Sequence, residues 1–215
     1  DLVNVLRHYR NNPSVVMWCV GNEVSDQWNG DLGPKLSRRL QDICHREDPT
    51  RPVTQGMDIP DAVVNNNMAA VMDVPVFNYR PHKYQENYKK LPQQIILGSE
   101  TASTLSSRGI YKFPVTRAWM KKYEDHQASS YDVESCGWSN LPEDDFIQHE
   151  DLPYCIGEFV WTGFDYLGEP TPYYTDWPSH SSLFGIVDLA GLYIYLCLPY
   201  CCRCRISCGK TWKLR

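Results

Sequence analysis

Six consecutive apolar residues, Val15-Val16-Met17-Trp18-Cys19-Val20, run directly into Gly21-Asn22-Glu23. An amphipathic helix would interrupt such a run every third or fourth residue, and a half-exposed strand every second. Following the breaker Asn11-Asn12-Pro13, the run fits a parallel strand covered on both faces. Before it, residues 2–10 place Leu2, Val3, Leu6 and Tyr9 at helical spacing. After it, a loop with Gly30 and Gly33 opens a second helical pattern over 34–47, whose apolar positions are Leu36, Leu40 and Ile43.

The alternation continues without internal sequence repeats. Residues 51–56 and 72–79 read as strands and 83–90 as a short helix ending before Pro92. Residues 94–98 are a strand that ends at Ser99-Glu100, 118–126 are helical in composition, and 154–161 form a last strand after a polar stretch containing Pro142, Glu143, Asp144 and Asp145. Strands alternating with helices predict a parallel α/β architecture. About five strands are present, whereas a complete eight-stranded barrel takes ~250 residues.

Composition narrows the function classes. The net charge of −5 arises from mixed signs with no basic block, which gives no attraction to nucleic acid or to an anionic membrane. No apolar run approaches the ~18 residues of a membrane span, and Asp1-Leu2-Val3-Asn4 has no features of an export signal. Cys19, Cys44, Cys136 and Cys155 are scattered singly, as buried small hydrophobes are, with Cys19 inside the apolar run the plainest case. His8, His45, His82, His126, His149 and His180 have no metal-binding spacing and are expected mostly at the surface, and neither a metal nor another cofactor is expected. There is no nucleophile elbow, phosphate-cradling glycine loop or His-Glu-x-x-His.

In a parallel α/β sheet, reactive groups gather where strands end and loops begin. Glu23 and Glu100 both stand there. Strict alternation puts Glu23 on a face with Met17, Cys19 and Gly21, and Glu100 with Ile96 and Gly98, so that a glycine two residues earlier clears space beside each carboxylate. Two carboxylates across one pocket can divide glycoside cleavage, one protonating the leaving oxygen and the other attacking the anomeric carbon. The acid must keep its proton near neutral pH, which burial beside Trp and an ionised partner both favour. The alternative for each is a solvated loop carboxylate. Glu158, Asp165 and Glu169 are rivals, but Glu158 has the opposite parity to Trp161 and is expected to face the outer helices, and Asp165 either orients the pocket or caps a loop.

Asn-Pro-Ser-Val-Val-Met-Trp-Cys-Val-Gly-Asn-Glu at 12–23 closely resembles the fourth-strand segment of glycoside hydrolase family 2, whose Asn-Glu pair supplies the acid/base. Ile95-Ile96-Leu97-Gly98-Ser99-Glu100 is similar to that family's seventh strand, which ends on the nucleophile, and residues 157–166, Gly-Glu-Phe-Val-Trp-Thr-Gly-Phe-Asp-Tyr, to its eighth. Phe77-Asn78-Tyr79 resembles the sixth-strand end. The resemblance covers residues 1–191 and implies the C-terminal half of a (β/α)8 TIM barrel, about strands 4 to 8. It implies Glu23 as general acid/base, Glu100 as nucleophile, Tyr79 as a hydrogen-bond donor to it, and Asn22 and Trp161 as substrate contacts. Trp161 also has a reading as core packing. The glucuronidase subgroup carries Asn and Lys after the last strand, where this chain reads Ser181-Ser182-Leu183-Phe184-Gly185. That departure favours a neutral sugar, and the Gly-Phe-Asp-Tyr-Leu-Gly-Glu-Pro run is closer to β-galactosidases than to mannosidases.

By the same resemblance the early barrel strands and the preceding β-sandwich domains are missing, so the chain is expected to be a fragment. After Gly191 the likeness stops. Cys197, Cys201, Cys202, Cys204 and Cys208 lack paired Cys-x2-Cys spacing, and a wrong reading frame or another gene-model artefact explains residues 192–215 better than a zinc site. Three classes compete: a retaining β-glycosidase hydrolysing terminal β-galactosides, an inactive carbohydrate-binding relative, and a Cys-rich metal protein.

Overall fold

The structure, a computed structural model, describes residues 1–194; the cysteines of the C-terminal segment, with the zinc reading made for them and all but the first three residues of the frame reading, lie outside the described residues. Helix α1 (Leu2–Tyr9) leads to strand β1 (Trp18–Asn22), a 3-10 turn at Ser25–Trp28, and α2 (Leu32–Glu47). Strand β2 (Val53–Met57) is followed by α3 (Pro60–Asn65), α4 (Met68–Val71), β3 (Val76–Asn78) and α5 (Tyr84–Lys90). Then come β4 (Ile96–Ala102), β5 (Thr104–Leu105), β6 (Ala118–Trp119), β7 (Glu134–Ser135), α6 (Pro142–Asp151) and β8 (Cys155–Trp161).

The chain divides into two compact units, Asp1–Thr101 with Asp144–Phe159, and Ala102–Glu143 with the described residues from Val160 onward. The main sheet has the order β1-β2-β3-β4-β8, with β1 to β4 pairing in parallel. Alternation along its strands sends Met57, Phe77 and Ile96 to the side covered by helices, where they pack with Val63, Met68 and Tyr84. Their neighbours Val76 and Leu97 point to the other side and cluster with Val74, Met17 and Ile95.

Two anchors hold the strand that carries Glu23. Trp18 Nε1 donates to Asp48 Oδ2 at 2.9 Å, and Arg51 Nη1 donates to the same oxygen at 2.7 Å. Burial alone would raise the Asp48 carboxyl, but its bonds from Thr50, Trp18 and Arg51 prevail and hold it well below the usual range. Helix α2 buries Ser37, Gln41, Cys44 and Glu47, with the expected apolar positions Leu36, Leu40 and Ile43 only half-buried. Its buried polar groups are satisfied across the interface: Ser37 Oγ donates to Gln55 Oε1, Gln41 Nε2 to the Val71 carbonyl, and Arg7 to Glu47.

Several expectations are corrected. Cys19 is exposed, because β1 is the terminal strand of the sheet and Cys19 lies on its uncovered face, while Cys44 and Cys136 are buried. The polar stretch before the last strand is helix α6. Residues 118–126 are not helical. Ala118–Trp119 pairs with β7, and Met120 and His126 have φ of 49° and 53°, which a right-handed helix cannot contain. Cross-strand pairing therefore overrides composition there. The second unit is built on the small sheet β5-β7-β6 and a core of Leu105, Ala128, Cys136 and Phe184. Among the described residues no helix is long and apolar enough to cross a membrane.

In the first unit, His149 of α6 sits edge-on to the Tyr84 ring with its side chain nearly buried. Burial pushes its imidazole down to about 4, against a weak opposing contact at the Gly157 backbone, so it faces Glu158 at 3.8 Å uncharged at neutral pH. A group whose folded pKa is depressed contributes stability above its unfolded pKa and loses it as pH falls. His149 should therefore withdraw up to about 3 kcal/mol between pH 6.5 and about 4. Thermal unfolding of the wild type and His149→Phe at pH 7 and pH 4.5 tests this: the acid-induced drop in Tm should shrink in the variant, and an equal drop in both would refute the assignment.

Candidate active site

The site is assembled at the carboxyl ends of β1, β3 and β4, and two irregularities in pairing aim its side chains. Along β1 the partners run Trp18↔Val53, Cys19↔Thr54 and Asn22↔Gly56, so β1 gains one residue on β2. Along β4, Gly98 pairs with Phe77 and Glu100 with Asn78, so β4 gains one on β3. Each is a bulge, which resets the alternation of side chains. Without it, Glu100 would follow Ile96 and Gly98 to the helix side. With it, Glu100 turns to the side that Asn22 and Asn78 occupy.

The expectation that Gly21 and Gly98 clear space beside the carboxylates is overturned for the same reason. A Cβ at Gly98 would lie 2.8 Å from Thr101 Cγ2 and 2.9 Å from His149 Cε1, and one at Gly21 would lie 3.1 Å from Gln55 Nε2. Both glycines admit packing groups. The glycine that makes room in the site is Gly56 on β2, where a Cβ would stand 2.1 Å from Asn22 Oδ1.

The polar groups form one connected network. Asn78 Nδ2 donates to Glu23 Oε1 at 2.8 Å and to Asn22 Oδ1 at 3.0 Å. Asn22 Nδ2 donates to Glu100 Oε1 at 2.9 Å, and the Tyr79 hydroxyl donates to Glu100 Oε2 at 2.8 Å. Ser99 Oγ donates to Asn78 Oδ1. The backbone is held too: the Glu23 N–H reaches the Gly56 carbonyl at 3.0 Å and the Tyr79 N–H the Glu100 carbonyl at 2.9 Å. Glu23 and Tyr79 take left-handed φ values of 47° and 53°, a strained conformation for residues with a Cβ, and these bonds fix it.

The carboxylates differ in setting. Glu23 is exposed and Glu100 half-buried. Burial raises the Glu100 carboxyl, the Tyr79 hydrogen bond opposes this, the charge of Glu23 adds to the rise, and the amides of Asn22 and Asn78 lower it. Sequence reasoning thus brought together Glu23, Glu100, Asn22 and Tyr79, and missed Asn78, Ser99 and Gly56. Phe77-Asn78-Tyr79 was a visible signal, but only Tyr79 was drawn from it.

Trp161 belongs to the second unit. It is 37% exposed, lies outside that unit's core cluster, meets Tyr166 edge-on at 6.1 Å, and accepts a bond from Ser103 Oγ on its carbonyl. The rivals have other partners. Glu158 accepts from Thr101 Oγ1 at 2.7 Å on the helix side, as its parity indicated. Asp165 accepts from Ser182 Oγ at 2.8 Å and from the Gly185 N–H at 2.7 Å, which is the loop-capping arrangement, and Glu169 accepts from the Tyr166 hydroxyl. No group of three or more His, Cys, Asp or Glu among the described residues could hold a metal.

The sequence profile described as "Glycosyl hydrolases family 2, TIM barrel domain" matches residues 1–177. The chain belongs to glycosyl hydrolase family 2. Its five-stranded sheet is part of that family's TIM barrel. Beta-galactosidase BoGH2A of Bacteroides ovatus is 33% identical over 89% of this chain and 27% of its own length. A beta-glucuronidase of Rattus norvegicus is 26% identical over 78% of this chain and 26% of its own. Among solved structures, a family 2 member from Bacteroides cellulosilyticus superposes with a TM-score of 0.63 at 26% identity, covering 90% of this chain and 21% of that one. The chain thus spans about a quarter of the length of these family 2 relatives.

Gly56 gives the site a sharp steric test. In Gly56→Ala the new methyl displaces Asn22 from between Glu100 and Asn78, and misplacement of a positioning group by about 1 Å costs on the order of a hundredfold in rate. The loss should fall on kcat/KM with the fold retained by circular dichroism. Wild-type kinetics in the variant would show that the Asn22 position is immaterial.

Proposed function

We propose that Glu23 and Glu100 are the catalytic pair of a retaining exo-β-glycosidase that hydrolyses terminal β-galactosides. The carrying observation is the single network that presents both carboxylates together, one oxygen of Glu23 and both oxygens of Glu100 being hydrogen-bonded within it.

The settings suit different roles. Donors on both oxygens of Glu100 fix its orientation and support its charge, while burial makes it more basic, which is what an attacking carboxylate needs. Glu23 is tied through Oε1 and lies exposed, so its other oxygen can meet a leaving group or a water. In the first step Glu100 attacks the anomeric carbon, the glycosidic bond breaks, and the proton of Glu23 passes to the departing oxygen. In the second, Glu23 takes a proton from water, whose oxygen displaces Glu100 with net retention. Asn22 and Tyr79 orient the nucleophile and contact the sugar in this reading. No cofactor enters these steps.

A neutral sugar is favoured by two points. The 33% identical relative is named a beta-galactosidase. Residues 181–185, where glucuronidases carry their Asn and Lys, here bind Asp165 through Ser182 and Gly185. Another neutral-sugar β-glycosidase of the family is the second reading, and the similarity to a beta-glucuronidase makes the glucuronide the control substrate.

The intact protein should cleave nitrophenyl β-galactoside and not the β-glucuronide, and its first-formed product should be the β-anomer by proton NMR. Glu100→Gln should abolish turnover and covalent labelling by a 2-fluoro galactoside. Glu23→Gln should lose about 10²- to 10⁴-fold on unactivated glycosides while sparing the first step with good leaving groups. An α-anomeric first product, or equal losses on both substrate classes for Glu23→Gln, would remove the assignment.

A further inference from the structure

We infer that Asn78 is a positioning residue for the proposed acid/base, holding the Glu23 carboxyl in its protonating pose through an amide that Ser99 braces at its oxygen. The inference rests on the proposed glycosidase reading and extends it to two residues outside the Asn-Glu pair and the nucleophile.

Asn78 is fully buried at the end of β3, between the strands that carry Glu23 and Glu100. Both protons of its Nδ2 are assigned: one meets Glu23 Oε1 at 2.8 Å and the other Asn22 Oδ1 at 3.0 Å. An amide could reverse and present its oxygen to Glu23, which would set an acceptor against a carboxylate. The two acceptors on the nitrogen side oppose this, since Glu23 Oε1 and Asn22 Oδ1 would then both face an oxygen, while in the observed orientation the Ser99 hydroxyl donates to Asn78 Oδ1 and braces the amide from its other end. Ser99 lies at the β4 bulge, directly before Glu100, so the irregularity that turns Glu100 inward also delivers this hydroxyl. The amide therefore couples the two carboxylate positions.

The chemical consequence concerns Glu23 more than Glu100. Glu100 keeps donors on both oxygens from Asn22 and Tyr79 when Asn78 is removed. Among the described side chains Asn78 is the one bonded to the Glu23 carboxyl, and Glu23 is otherwise exposed on a strained backbone. Without Asn78 the side chain of Glu23 samples other rotamers, and the proton is delivered less often to the leaving oxygen. Loss of an acid's pose penalises poor leaving groups, which need protonation, more than good ones.

The test measures kcat/KM of the intact wild-type protein, Asn78→Ala and Ser99→Ala on a dinitrophenyl β-galactoside and on an alkyl β-galactoside. Asn78→Ala should lose at least about tenfold more on the alkyl glycoside than on the dinitrophenyl one, and Ser99→Ala a smaller selective loss in the same direction. Added azide, which replaces the water that Glu23 would activate, should accelerate turnover of the dinitrophenyl substrate by Asn78→Ala but not by wild type. Ser99→Ala leaves the amide and the packing in place, so it answers the question even where Asn78→Ala folds poorly. Equal loss on both glycosides in Ser99→Ala, or none on either, overturns the inference. An inactive wild type overturns the proposed function instead.

Discussion

The feature on which the rest depends is the pair of asparagine amides that spans three strand ends. Parallel strands supply regular backbone bonds, but their carboxyl ends diverge into loops, and a charged group there ordinarily moves with solvent. Here Asn22 on β1 and Asn78 on β3 link Glu23 to Glu100 through bonds of 2.8 to 3.0 Å. Each amide both donates and accepts, so removing either leaves more than one group unpaired, the costly direction for a half-buried network. The two bulges are necessary to this arrangement, because regular pleating would send Glu100 toward the helices.

Much of this was legible in the sequence, and the reason lies in strand chemistry. Apolar runs ending in Asn22-Glu23 and Ser99-Glu100 locate carboxyl ends of parallel strands, and such ends carry reactive groups in this architecture. What was not legible depends on register. Gly21 and Gly98 were credited with clearing a pocket because alternation by twos was carried through both bulges; the extra residue in each strand transfers that role to Gly56 on a neighbour. Asn78 and Ser99 escaped notice because their value lies in cross-strand partners, which composition does not encode. Residues 118–126 have helix-forming composition, yet the backbone N–H groups of Ala118 and Met120 bond to the carbonyls of Val133 and Ser135, and a pairing partner outweighs a weak local preference.

The second unit shows the same economy with different groups. Asp165 is raised by burial and lowered by its bonds from the Gly185 backbone and Ser182, and a Cβ at Gly185 would stand 2.1 Å from the Asp165 nitrogen. The turn through 182–185 is therefore shaped around one carboxylate. Trp161 stays outside the unit's core while Tyr166 packs into it against Phe184, leaving the indole anchored by its backbone and one ring edge with much of its surface open.

Strain and satisfaction are balanced within the network around the two carboxylates. Glu23 and Tyr79 adopt left-handed backbone conformations, which cost on the order of 1 kcal/mol or more apiece in residues that carry a Cβ. Such conformations persist only where neighbouring bonds over-determine them, and here each has a backbone N–H tied to an adjacent strand, at Gly56 for Glu23 and at Glu100 for Tyr79. The result is asymmetry between two chemically identical side chains. Glu100 is half-buried with donors on both oxygens, whereas Glu23 is exposed and held through one. In the proposed reaction one carboxylate must keep its place while bonding to carbon, and the other must exchange a proton with successive partners. A doubly anchored group and a singly anchored one meet those two demands, and their separation traces back to which strand end each occupies.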